Sequence, residues 1–413
     1  MIFCARPFSE IRRRDLSAYT VRVRGLLICV VMMGVGCYRP RIEGACEVRC
    51  DVANAPACPS GLTCGADNLC YEDVECRELG VDAAIVPDAH SGDPSTCAGV
   101  GWLAETCPVV ITPPRVLGSA INTETDCDEI FVNNCLIAAE AITMSGTFVV
   151  TGPRPLVVFA RKSLTVAAGS VIDVLAGSGN GCAASTAGAS TGVGSAATGG
   201  GPGGTLGGRG GYGGGASTNV KAMSVAATTI TTFRPGCPGG NGGVGPSTLP
   251  AAGGAGGGAI YLVAGEMITI AGTLRAPGRG GAGATPQAGA SAGGGGGGSG
   301  GMIVLDAPRI LVQGALLAHG GGGGGGARDG TGGSGGAGTI VNGAAANGGL
   351  SAGTGSSAGG SGSGGSSLTG GTALDATAGG GAGGGGGGAG VIKMFSAMTP
   401  VIDNQVTVSP PAT

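Results

Sequence analysis

Ile142-Thr143-Met144-Ser145-Gly146-Thr147-Phe148-Val149-Val150 is the stretch from which the rest of the chain is read. Apolar residues alternate with partners of the other face (Ile142 and Met144, then Phe148 and Val150), and a Ser-Gly step separates the two pairs. That is the two-residue period of short strands broken by turn residues. The unit recurs at Leu156 and Val158, Leu164 and Val166, and Ile172 and Val174, each bounded by Gly, Pro or Ser at spacings of six to eight residues. Strands this short cannot bury a face alone. They predict the rungs of a β-solenoid, each stacked on the next.

A longer period follows downstream. Gly258-Ala259-Ile260-Tyr261-Leu262-Val263-Ala264 matches Gly301-Met302-Ile303-Val304-Leu305-Asp306-Ala307 at an offset of 43 residues. Ile268, Ile270, Gly272, Leu274, Ala276 and Gly278 match Ile310, Val312, Gly314, Leu316, Ala318 and Gly320 at an offset of 42. A third copy opens at Val391-Ile392-Lys393-Met394, and glycine runs such as 293–298 and 383–388 precede the copies. Of the 94 glycines, 80 fall within 177–390. Ordering them costs on the order of 100 kcal/mol of backbone entropy, with no side chain to bury in return. The runs are therefore either flexible coil or extended polyproline-II-like helices packed side by side, where only glycine lets backbones approach and hydrogen-bond. Runs held at both ends by strands favour the packed form. The expected fold is all-β: a right-handed β-solenoid (parallel β-helix-like) body with long Gly-rich insertions, preceded by a small disulfide-rich segment.

Composition argues against most chemistry. Only 11% of the 413 residues are charged and 3% aromatic, and the net charge is −3. Catalysis draws on ionisable groups and nucleic-acid binding on a basic stripe, so neither class is expected. The pattern G-x-S-x-G occurs at 297–301, 332–336 and 355–359, but so glycine-rich a region produces it by composition. No strand-turn-helix or nearby histidine accompanies it, and His319 stands at a strand end. Matches to G-x-G-x-x-G lack a βαβ context, and no G-K-[ST] occurs. Asp329 stands alone rather than in a calcium-binding repeat, and Asp126, Asp128 and Glu129 around Cys127 read as a solvated turn. Trp102, the single tryptophan, lies between Cys97 and Cys107 and reads as core packing beside a disulfide. The one neighbouring charged set is Glu140, Arg161, Lys162 and Asp173. Convergence of those four in a groove would mark a polysaccharide-processing enzyme on a β-helix. No catalytic, cofactor-binding or metal-binding residue is expected.

The N-terminus carries an address. Arg12, Arg13, Arg14, Arg22 and Arg24 precede an apolar run from Leu26 to Val35, too short to span a bilayer but suited to a signal peptide. It ends Met33-Gly34-Val35-Gly36-Cys37, small residues before a cysteine. Setting aside Cys4, Cys29 and Cys37 leaves an even twelve. They group as Cys46, Cys50, Cys58, Cys64, Cys70 and Cys76, then Cys97, Cys107, Cys127 and Cys135, then Cys182 and Cys237. Even clusters in an exported chain predict disulfides, with connectivity left open, and the absence of C-x-x-C spacing argues against zinc. Cys182 and Cys237 would clip the longest insertion, 177–252, onto itself.

The run into Cys37 resembles a bacterial lipobox, with Gly34 where leucine is usual. The whole order (lipobox, Cys-rich segment, Asp/Pro linker, β body interrupted by glycine) is similar to the glycine-rich predicted lipoproteins of some Gram-negative genomes. The resemblance implies lipidation at Cys37, a membrane partner through that anchor, and an outer-membrane, surface-exposed location. It carries over no catalytic residue. Expected divisions are 1–36 signal peptide, 37–76 lipidated Cys-rich segment, 77–96 linker, 97–176 solenoid rungs and 177–413 Gly-rich repeats with strand rungs. The expected function is a non-enzymatic lipid-anchored envelope protein, structural or adhesive, with envelope polysaccharide or surface proteins as partners and no nucleic acid or cofactor. The alternatives are the β-helix enzyme and an ice-binding-like protein whose glycine helices meet a flat surface.

Overall fold

In a computed structural model of the chain, the described residues are 63–64, 70–71, 97–103, 106–175, 198–215, 221–224, 226–227, 230–243, 250–288, 290–338, 343–377 and 379–413. Cys37, Cys46, Cys50, Cys58, Cys76 and Cys182 lie outside them, as do residues 1–36 and 77–96, where a signal peptide and a linker are expected. The chain divides into two units, Met1–Asp88 and Ala89–Thr413. In the first, β1 (Thr63–Cys64) and β2 (Cys70–Tyr71) pair antiparallel with Cys64 opposite Cys70.

The second unit is a three-sided β-solenoid with strands only, no helix being present among the described residues. It opens with β3 (Arg115–Leu117), β4 (Ile121–Asn122) and β5 (Glu129–Phe131). The next turn is β6 (Asn134–Ala139), β7 (Ile142–Met144) and β8 (Thr147–Thr151), followed by β9 (Leu156–Ala160), β10 (Ser163–Val166) and β11 (Val171–Val174). Then come β12 (Ala259–Ala264), β13 (Met267–Ile270) and β14 (Thr273–Arg275). A small antiparallel pair, β15 (Ser291–Ala292) with β19 (Ala327–Arg328), flanks β16 (Met302–Asp306), β17 (Arg309–Val312) and β18 (Ala315–Leu317). The last turn is β20 (Val391–Phe395), β21 (Val401–Ile402) and β22 (Val408–Ser409). Three six-stranded sheets result: β5-β6-β9-β12-β16-β20, β3-β7-β10-β13-β17-β21, and β4-β8-β11-β14-β18-β22. Every pairing in them is parallel except β5 with β6.

Register follows the alternation read from the sequence. Ile142, Leu164, Ile268 and Ile310 stack down the second sheet, and Phe148, Ile172, Leu274 and Leu316 down the third. Both columns face one interior core with Ile137, Val158, Leu262 and Leu305 of the first sheet. The first sheet is buried on its outer face too. Leu136, Val157, Phe159, Tyr261 and Val304 form a second apolar layer, covered by Trp102, Leu103 and Ile111 and by Ile230 and Phe233. That double burial explains why β6, β9, β12 and β16 read as continuous apolar runs, whereas β8, β10, β11 and β13 alternate.

The glycine-rich insertions all leave from one corner, between the third sheet and the first: after β11, after β14 and after β18. They assemble into a bundle of extended threads whose amides advance in steps of three. In the thread 293–301, Gly294, Gly297 and Gly300 donate to Ala382, Gly385 and Gly388. Gly293, Gly296 and Ser299 donate to Gly243, Gly240 and Cys237, while Gly295, Gly298 and Gly301 donate to Ala282, Arg279 and Ala276. Its carbonyls accept in the same rhythm from 201 and 204, from 321 and 324, and from 254 and 257. This is the threefold periodicity of a polyproline-II helix, which has no hydrogen bonds of its own and must find them in neighbours.

The pattern closes into a hexagonal array. Threads 293–301, 320–326 and 380–390 are mutually bonded and form the centre. Around them, each bonded to the next, run 236–243, 250–258, 276–284, 332–338, 346–352, 357–364, 370–376, 209–215 and 199–208, the last bonded back to the first. A central thread has backbone on every side, and a Cβ added at Gly297 would lie 2.1 Å from the Gly321 carbonyl oxygen, at Gly323 1.9 Å from that of Gly384, and at Gly387 1.8 Å from that of Gly298. The three central threads are the near-pure glycine runs. The outer threads admit side chains at their outward positions, such as Asn241, Ala255, Arg279, Ser334 and Asn347.

Candidate functional site

Glu140, Arg161, Lys162 and Asp173 do not converge. Glu140, in the turn between β6 and β7, binds Arg161 Nη2 at 2.7 Å and Lys162 Nζ at 2.8 Å. Hydrogen bonds from those two cations hold its carboxyl down to about 2, so it carries no proton to donate near neutrality. Beside it lies a shallow groove of about 400 Å³ lined by Ile111, Thr112, Pro113, Pro114 and Arg161. Asp173 sits on β11, in another sheet, and is paired with Arg275 on β14. The four are two separate ion-pair ladders.

The acids around Cys127 are likewise committed to the backbone and to one arginine. Asp126 accepts from the Asn122 amide and from the Thr125 hydroxyl, and these bonds lower its pKa. Asp128 pairs with Arg115 at 3.0 Å and accepts the Ala138 amide, and Glu129 accepts the Val109 amide. Cys127 itself is bonded to Cys135, and Cys97 to Cys107. Cys237 is also disulfide-bonded. Among the described residues, no three His, Cys, Asp or Glu side chains gather where a metal ion could be held.

The serines of the G-x-S-x-G matches bond to neighbouring threads. Ser299 accepts the Cys237 amide, Ser357 links Leu374 and Gly383, and Ser334 accepts the Gly283 amide. His319 instead meets Ser409, 90 residues away, with Nε2 2.7 Å from Oγ. The Ser409 hydroxyl donates to the Gly365 carbonyl at 2.6 Å, so its oxygen accepts Nε2–H from the imidazole. Nδ1 is then a bare acceptor, and it is the one buried side-chain nitrogen or oxygen among the described residues with no partner. Both residues are at most 3% exposed, and burial lowers the histidine pKa. So bonded, the imidazole donates to the serine instead of accepting its proton, and the buried pair is not arranged as a nucleophile and base.

Asp306 is the residue that sequence reasoning passed over. It is 1% exposed on β16 and accepts the amides of Val100 and Gly101 and the Tyr261 hydroxyl, the last at 2.8 Å. Burial and the adjacent carboxylate push the Tyr261 phenol far above its ordinary value. The carboxylate ties the loop closed by Cys97–Cys107 onto the outer face of the first sheet. Its signal was present: one acid inside Met302-Ile303-Val304-Leu305-Asp306, an otherwise apolar strand. An acid buried without an ion pair must be met by several donors.

The loop carries Trp102 to the end of the solenoid. The indole is half-buried and meets Phe395 edge-on, centroids 5.7 Å apart at 71°. Between this ring, β20 and the bundle lies a groove of about 360 Å³. No protein-family model, no curated protein and no solved structure matches this chain.

Proposed function

We propose that the chain is a non-enzymatic, lipid-anchored cell-envelope protein, structural or adhesive, held at the membrane through Cys37 and presenting the glycine bundle on a β-solenoid. The observation that carries the reading is the bundle. Its interior satisfies its own backbone, its outward positions are mostly small and uncharged, and strands β12, β14, β16, β18 and β20 run directly into it. Such a body is a rigid display surface with few groups for chemistry. Two disulfides in the solenoid support an oxidising, extracytoplasmic setting. The full chain in a Gram-negative host is expected to incorporate labelled palmitate, and Cys37→Ser to abolish the label. Equal labelling of both would remove the anchor. Host cells displaying the wild type should be retained on polysaccharide-coated surfaces over cells without it.

A second reading has its own observation. Threads 250–258, 276–284 and 332–338 lie side by side, with outward residues (Ala252 and Ala255, Arg279 and Ala282, Ser334 and Ala337) repeating every three positions, about 9 Å. A regular flank of mostly small residues, with Arg279 as its one long side chain among those named, fits an ordered surface such as ice. A thermal-hysteresis measurement decides it.

A further inference from the structure

The groove between Trp102 and β20 combines features found together nowhere else among the described residues. On the outer face of the first sheet, register aligns Leu136, Val157, Tyr261, Val304 and Lys393 in one column. Four apolar or aromatic members end in an ammonium at the last rung. Lys393 stands between Val391 and Phe395, its Nζ 5.7 Å from the Phe395 ring centroid, and no carboxylate of the described residues pairs with it. Trp102 flanks the same space, its loop fixed by Cys97–Cys107 and by Asp306, and Pro410 and Pro411 line it as well. Edge-on packing against Phe395 holds the indole at a fixed angle while leaving it half-buried.

We infer that this groove is a binding site for an acidic saccharide, a pyranose bearing a carboxylate. A sugar ring has an apolar C–H face that a tryptophan covers well, and its carboxylate needs a cation at the rim. Lys393 supplies that cation and Trp102 the platform. A volume of about 360 Å³ is at the small end for ligand pockets and fits one or two sugar units of a longer chain. The inference rests on the adhesive part of the proposed function for its purpose, and supplies the chemical class of what is gripped. It needs neither lipid nor export, so its test runs on purified protein and fails independently of the anchor.

Trp102 is the only tryptophan in the chain, so its emission reports directly on the groove. Detergent-solubilised full-length protein is titrated with tetragalacturonate and, separately, with neutral galactotetraose. Tetragalacturonate is expected to change the emission saturably, galactotetraose to do so at least tenfold more weakly. Lys393→Met, which keeps the stem and removes the charge, should weaken the acidic response about tenfold. On the wild type, raising salt should weaken it as well, which tests the charge without a variant. Unchanged emission up to about 10 mM tetragalacturonate, well beyond millimolar affinity, would overturn the inference. Equal responses to both sugars, or a response indifferent to salt and to Lys393→Met, would overturn it too. A lysine that only blunts an edge strand against pairing gives one of these negative results.

Discussion

At the scale of single residues, the two most informative side chains are a buried acid and a buried base, neither with a counter-ion among the described residues. Asp306 is met by two amides and a phenol, so burying its charge is compensated. His319 is met on one nitrogen only, and it stays buried because the imidazole is neutral. Protonation would place an N–H at Nδ1 facing no acceptor. The groups bonded to the residue, Ser409 on its ring and the Gly278 amide on its carbonyl, are uncharged. The sign of the pH effect follows. The folded pKa lies below the ordinary 6.5, so the unfolded chain binds the extra proton first. This contribution to stability is complete above about pH 6.5 and is lost as pH falls through the window beneath it. Thermal unfolding at pH 7.5 and pH 5 should show a drop for the wild type that is smaller in His319→Gln, whose amide still donates to Ser409. An identical drop in both proteins would mean the acid sensitivity lies elsewhere. Sequence could not show this pair, because 90 residues and most of the last insertion separate its members.

At the scale of elements, legibility divides by whether a residue's identity reports its environment. Ile142, Phe148, Leu164 and Ile172 did, since alternation with turn residues leaves a strand few other options, and β7 to β11 fall where the pattern places them. The 42- and 43-residue offsets likewise become Leu262 beside Leu305 and Ile268 beside Ile310. The threads were legible in kind but not in arrangement. A glycine says that no side chain fits and nothing about which neighbour excludes it. Only the purity of 293–298, 320–326 and 383–388 carried positional information, and these became the three central threads. An outer thread needs glycine only on its inner sides. Gly297→Ala is therefore expected to destabilise by at least about 1–3 kcal/mol, because backbone on every side cannot yield as a side chain does. Ala255→Ser, which adds an atom at an exposed outer position, should change stability by less than about 0.5 kcal/mol. Denaturant unfolding of the two variants compares them directly. Equal and small effects would mean the centre is looser than its hydrogen bonds describe.

At the scale of the whole molecule, the solenoid and the bundle share their chain continuously, and this decides how they fail. Strand β14 ends at Arg275 and the thread begins at 276; Gly301 leads into Met302, Leu317 into Ala318, and Gly390 into Val391. Hydrogen bonds cross the seam, with Ala276 donating to Leu317, Gly301 to Ala276 and Gly390 to Ala318. A bundle built mostly of glycine and alanine, with few larger apolar side chains, has little hydrophobic stabilisation to hold it once the rungs separate. Conversely, the rungs β12, β16 and β20 are brought into register across insertions that only the bundle keeps compact. The two parts should therefore open as one cooperative unit rather than as independent foldons. Leu305→Ala, fully buried in the solenoid core on β16, tests this. Loss of its buried side chain should cost about 2–5 kcal/mol. Native-state hydrogen exchange should then show amides at 320–326 losing protection by the same free energy as amides in β12 and β16. Strand amides that weaken while the threads keep full protection would show instead that the glycine array holds itself together, and its stability would have to come from backbone hydrogen bonds alone.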